Sequence, residues 1–206
     1  MYNYLALGDS YTIGELVPTP ETFPYQLVSL LRRKNMTIAD PVVIAKTGWT
    51  TDELMTAIRE NPIHEQFTFA TLLIGVNNQY RGRSLDNYKE EFTSLLHQAI
   101  SFAHQNPAQV AVLSIPDWGV TPFAEGKDRT VIAQEIDVFN QAAKAITQQQ
   151  GCAFLDITDS TRQNGTNPDY LVTDQLHPSG KEYRIWAERL LPVILSMPEF
   201  QKYADR

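Results

Sequence analysis

Tyr4-Leu5-Ala6-Leu7-Gly8-Asp9-Ser10-Tyr11-Thr12 decides how the chain is read. Four apolar residues in a row fit a strand buried on both faces, as in a parallel sheet. A glycine then lets the chain turn sharply, and a serine follows at once. A strand this close to the N-terminus, ending in Gly-Asp-Ser, fits an α/β protein with its chemistry just beyond the strand end.

The rest of the chain repeats this alternation. Val42–Ala45, Ala70–Ile74, Val110–Ser114 and Ala153–Leu155 read as further buried strands. Between them lie amphipathic stretches. After Ser84, a good N-cap, residues Leu85, Tyr88, Phe92, Leu95, Leu96, Ala99 and Phe102 recur at helical spacing. Ile132, Ile136, Phe139, Ala143 and Ile146 do the same before Gly151. Thr50 with Glu53, and Ser179 with Glu182, have the spacing of capping boxes, and Thr22 is placed to cap the first helix. Strands alternating with helices predict a parallel sheet of about five strands, right-handed crossovers and a helical layer on each face. Ligands of such sheets bind beyond the carboxyl ends of the strands.

The composition agrees. The chain has 206 residues with 43% hydrophobic and 20% charged residues, which suits one globular domain over residues 1–206. A net charge of −7 with no basic cluster argues against a nucleic-acid partner. The single cysteine, Cys152, allows neither an internal disulfide nor a thiolate metal cluster, and reads as a small core residue. No apolar run is long enough to span a membrane, and no signal peptide is visible, so a cytoplasmic location is expected. His97 and His104 share a helix without a carboxylate or thiolate to complete a metal set, and His64 stands apart. No metal or cofactor is expected. Dinucleotide, phosphate-loop and zinc-protease motifs are absent, as is the Gly-x-Ser-x-Gly elbow.

Every unusual residue follows a strand. Ser10 follows the first, but a serine hydroxyl is a poor nucleophile until a base takes its proton. Asp174-Gln175-Leu176-His177-Pro178 offers that base. On a helical turn, residues three apart face the same side. Asp174 then accepts from one imidazole nitrogen of His177 and leaves the other free to act. Pro178 ends the turn. Acyl transfer also needs donors for a developing oxyanion. Gly48, near a helix start after the second strand, offers a backbone N–H. Gly75-Val76-Asn77-Asn78, after the third, offers a side-chain amide. Tyr11, Trp49, Tyr80, Trp118 and Phe123 follow the same strand ends and are candidate substrate contacts. The loop Ile115–Phe123 is expected to form one pocket wall.

In order and spacing these blocks resemble the GDSL esterases and lipases, also called SGNH hydrolases. Gly8-Asp9-Ser10, Gly48, Gly75-Val76-Asn77 and Asp174-Gln175-Leu176-His177-Pro178 match the four family blocks, over residues 8–178. The resemblance implies a flavodoxin-like three-layer α/β/α fold. It implies Ser10 as nucleophile, His177 as general base and acid, and Asp174 as its orienting group. It implies an oxyanion hole from the Ser10 and Gly48 N–H groups and the Asn77 side chain. The implied reaction is hydrolysis of a small-molecule ester through an acyl-enzyme. A thioesterase or lysophospholipase with the same triad is the nearest alternative. A catalytically inactive binding module and a flavin carrier of the same fold are more distant ones. One block departs from the pattern: the family usually reads Gly-x-Asn-Asp, and here Asn78 stands where the aspartate would be.

Overall fold

A computed structural model describes residues 1–203. Among these residues, five strands form one sheet: β1 (Tyr4–Gly8), β2 (Val42–Ala45), β3 (Phe69–Leu73), β4 (Val110–Leu113) and β5 (Ala153–Leu155). All neighbours pair in parallel, in the order β2-β1-β3-β4-β5. This is the flavodoxin order, with its switch point beside β1. Every residue of β1, β3 and β4 is buried, as their continuous apolar runs require. Each fully buried Leu or Phe here contributes roughly 1.5–3 kcal/mol over an exposed one.

Helices cover the sheet. They are α1 (Ser10–Ile13), α2 (Phe23–Arg33), α3 (Thr51–Glu60), α4 (Val76–Tyr80), α5 (Leu85–Phe102), α6 (Arg129–Gln149), α7 (Thr158–Asn164) and α8 (Gly180–Leu195). α2 packs on α8, while α5 lies against α3 and α6. The expected face of α5 is the buried one, through Tyr88, Phe92, Leu95, Leu96, Ala99 and Phe102. The Ser84 hydroxyl caps that helix by accepting from the Asn87 N–H at 3.2 Å. Cys152 is buried, and burial pushes its thiol up to about 12. None of the described helices is long and apolar enough to cross a membrane.

Local expectations fail at two helix starts. Thr22 occupies the N-cap of α2, but its hydroxyl turns back to donate to the Thr19 carbonyl at 3.0 Å. Pro24 sits in the first turn and offers no N–H to cap, which removes one of the two usual partners. Ser179 precedes α8 without forming the capping box, and its hydroxyl donates to the Asp169 carbonyl at 2.8 Å. Glu182 is drawn inward instead. Its carboxylate accepts from Ser160 Oγ at 2.5 Å, Asn164 Nδ2 at 2.8 Å and Trp186 Nε1 at 2.8 Å. Three side-chain donors outweigh one backbone N–H as a use for that carboxylate, and the Ser179 N–H is already satisfied, donating to the Tyr170 carbonyl at 2.9 Å. At α3 the expected box forms, with the Thr50 N–H donating to Glu53 Oε2 at 2.9 Å.

Candidate active site

β1 delivers Ser10 to the carboxyl edge of the sheet. Gly8 is needed there for space rather than for a turn. A Cβ at Gly8 would stand 2.5 Å from the Leu73 carbonyl oxygen, on the strand paired with it. Asp9 then caps α1, accepting from the Tyr11 N–H at 3.0 Å, so Ser10 is the first residue of a helix. Its own N–H holds no hydrogen bond within the described residues.

The loop before α8 brings His177 to the same place. Asp174 and His177 do not share the helical turn that their spacing predicts. Asp174 Oδ1 accepts from the Leu176 and His177 N–H groups, each at 2.9 Å, and Gln175 takes a left-handed φ of +59°. A side chain closing its own turn, as aspartate readily does, is an alternative to helix. The expected pairing survives, because the other oxygen, Oδ2, lies 2.6 Å from His177 Nδ1. His177 Nε2 lies 2.9 Å from Ser10 Oγ. Partial burial pushes the Asp174 carboxyl up, but the bonds from the His177 ring and the two backbone N–H groups bring it below the usual carboxylate range. An ionised Asp174 only accepts, so the Nδ1 proton points at it and Nε2 is left to accept from Ser10. This chain of contacts can move a proton off the serine.

Two further loops close the site. Gly48 has a φ of +82°, and its N–H holds no hydrogen bond among the described residues. Its carbonyl accepts from the Arg81 guanidinium at 2.6 Å. Gly75 has a φ of +130°, and a Cβ there would meet the Tyr88 ring at 2.6 Å. Asn77 follows in α4, its Nδ2 donating to the Trp49 carbonyl at 3.0 Å and lying 3.5 Å from Asp9 Oδ2. Asp9 is fully buried with no cation paired to it among the described residues. Burial pushes its carboxyl up to about 7, against the opposing effect of the Tyr11 N–H and the Asn77 amide.

Ser10, Gly48, Asn77 and His177 line one cleft of about 190 Å³. Of the five aromatic candidates, Tyr11, Tyr80, Trp118 and Phe123 line it too. Trp49 does not: it packs half-buried against the core and reaches the site only through its carbonyl. Tyr11 is buried, its ring centroid 5.1 Å from that of His177. Trp118 forms a wall with Tyr80 at 5.2 Å and Phe123 at 6.2 Å, and its indole N–H donates to Gln79 Oε1 at 2.7 Å. The loop after β4 thus forms one wall, as its length predicts. Thr47, Val76 and Leu176 also line the cleft and were not read from the sequence. Each is an immediate neighbour of a block residue, which is the signal that could have found them. No group of three or more His, Cys, Asp or Glu among the described residues is placed to hold a metal ion.

The model of the GDSL-like Lipase/Acylhydrolase family matches residues 6–185. Comparison with curated protein sequences gives no match. Among solved structures, TesA is similar with a TM-score of 0.73 and 18% identity, over 94% of this chain and 98% of that one. Axe2, an acetylxylan esterase from Geobacillus stearothermophilus, has a TM-score of 0.73 and 20% identity, over 94% of each chain. The psychrotrophic esterase EstA from Pseudoalteromonas sp. has a TM-score of 0.72 and 14% identity over the whole of both chains. At such identities these likenesses speak for the fold. The family match spans most of the chain and both ends of the cleft: the protein belongs to the GDSL-like lipase and acylhydrolase family.

Proposed function

We propose that the protein is a serine hydrolase that cleaves carboxylic esters of small molecules through an acyl-enzyme. Ser10 Oγ attacks the carbonyl carbon while its proton passes to His177 Nε2. Asp174 holds the imidazole by its other nitrogen and stabilises it once charged. The former carbonyl oxygen becomes an oxyanion, received by the free N–H groups of Ser10 and Gly48 and by the Asn77 amide. As the tetrahedral intermediate collapses, the leaving alkoxide takes the proton from His177 and departs as an alcohol. Water then attacks the acyl-serine, giving its proton to His177. The second collapse frees the acid and returns that proton to Ser10.

The observation that supports this reading is the unbroken series Ser10 Oγ, His177 Nε2, His177 Nδ1, Asp174 Oδ2, with gaps of 2.9 Å and 2.6 Å. Nucleophile, base and orienting group within hydrogen-bond reach are the signature of an activated serine. The cleft favours a compact acyl group. It holds about 190 Å³, and Trp118 and Tyr80 form one of its walls.

A panel of nitrophenyl esters and acyl thioesters, from two to twelve carbons, tests the proposal. Short oxygen esters should turn over fastest, and Ser10→Ala should remove the activity. No hydrolysis of any ester, or a Ser10→Ala enzyme as fast as wild type, would overturn it.

A further inference from the structure

Asn78, the residue that departs from the family pattern, is fully buried next to the proposed oxyanion donor. Its orientation follows from hydrogen-bond chemistry. The Thr51 N–H, in the first turn of α3, can only donate, so the Asn78 oxygen faces it, at 3.1 Å. The Asn78 amide nitrogen then faces the Thr51 hydroxyl at 2.6 Å. Against that donor the hydroxyl must accept, and its single proton goes outward, to Glu91 Oε2 on α5. Glu91 Oε1 accepts in turn from Asn87 Nδ2 at 2.8 Å. The direction of this relay depends on a donor at position 78. An aspartate there could only accept, and it would compete with Glu91 for one proton.

The relay lies in a seam between the two loops that carry Gly48 and Asn77. Other bonds cross it as well, Asn77 Nδ2 to the Trp49 carbonyl, Arg81 to the Gly48 carbonyl and Arg81 to Glu53 Oε1. We propose that Asn78 and Glu91, acting through Thr51, are a positioning pair that fixes the Gly48 N–H and the Asn77 amide relative to each other. The carboxylate of the seam sits on α5 instead of beside Asn77. This rests on reading Gly48 and Asn77 as oxyanion donors.

The test is a double-mutant cycle of wild type, Asn78→Asp, Glu91→Gln and the two combined, with kcat, KM and melting temperature measured on a short nitrophenyl ester. Asn78→Asp should lower kcat by roughly tenfold or more and leave KM nearly unchanged, since displaced donors weaken the transition state more than the bound substrate. Glu91→Gln should be mild, because its amide oxygen still accepts from Thr51 and the part-exposed Asn87 amide can turn its oxygen toward the new N–H. The combined variant should recover to within about threefold of wild type. There Thr51 donates to the aspartate and accepts from the new amide.

A harmless Asn78→Asp, or a combined variant no faster than Asn78→Asp, would overturn the proposal. So would a loss of melting temperature with kcat intact. If Asn78→Asp fails to fold, the combined variant decides alone: near wild-type kcat supports the pair, and a folded but slow enzyme contradicts it. Failure of the pair would leave wild-type hydrolysis and its dependence on Ser10 untouched, which separates it from failure of the ester-hydrolase reading.

Discussion

Asp9 lies between the strand and the serine with no exposure to solvent, no cation paired to it among the described residues and its carboxyl pushed up to about 7 by burial. In the unfolded chain the same group titrates near 3.8. Between those values the folded protein binds the proton that the unfolded chain has released. Stability therefore falls as pH rises through this window, and levels off above it. At 1.36 kcal/mol per pH unit, the span from 3.8 to about 7 corresponds to a total on the order of 4 kcal/mol. Asp9→Asn keeps an oxygen to accept from the Tyr11 N–H and removes the charge. Urea denaturation of both proteins from pH 4 to 8 gives the assay, and the wild-type minus variant difference cancels the other titrating groups. That difference should move against wild type by about 1.4 kcal/mol per pH unit up to about pH 7 and then flatten. A difference that stays constant across the range would refute the reasoning, and would mean that the Asp9 charge is solvated in the folded state.

Three other outcomes follow from the same geometry. Asn77→Ala should lose ~10²–10³ in kcat with KM nearly unchanged and still react slowly with a fluorophosphonate, because the oxyanion it is proposed to receive exists only in the transition state and intermediate; loss of melting temperature without loss of rate would return Asn77 to a structural role. Gly75→Ala should destabilise the fold by roughly 1–3 kcal/mol or more, since φ is +130° and the new Cβ meets the Tyr88 ring at 2.6 Å; a thermal melt indistinguishable from wild type would contradict the close approach. Incubation with EDTA should leave activity unchanged, and a loss restored by added zinc would contradict a mechanism built on Ser10 and His177 alone.

Much of this was legible because α/β folds put their chemistry where periodicity breaks. The buried strands announce themselves as unbroken apolar runs, and Ser10, Gly48 and Asn77 each stand within a few positions of a strand end, whereas Asp174 and His177 lie beyond α7 in the loop before α8. Asp174 and His177 do come together, at 2.6 Å, but by another route than the one their spacing suggests. Their spacing suits a helical turn, but a turn closed by the aspartate's own side chain brings the same two groups together. Trp49 illustrates the opposite failure. Proximity in sequence to Gly48 says nothing about which way a side chain points, and here the core claims the ring. The Ser179–Glu182 box failed because capping spacing is local, whereas two of the donors that capture Glu182, on Ser160 and Asn164, reach it from α7 and only Trp186 is near it in sequence. Asn78 was visible as an oddity, yet its logic requires Glu91, which lies 40 residues from Thr51 along the chain.

The most direct measurement on the central claim is active-site labelling with a fluorophosphonate, mapped by peptide mass spectrometry in wild type, Ser10→Ala and His177→Ala. A serine activated by the 2.9 Å contact with His177 Nε2 should be labelled at Ser10 alone in wild type, not at all in Ser10→Ala, and far more slowly in His177→Ala. A label on any other residue, or one taken up at Ser10 equally fast without His177, would contradict the account.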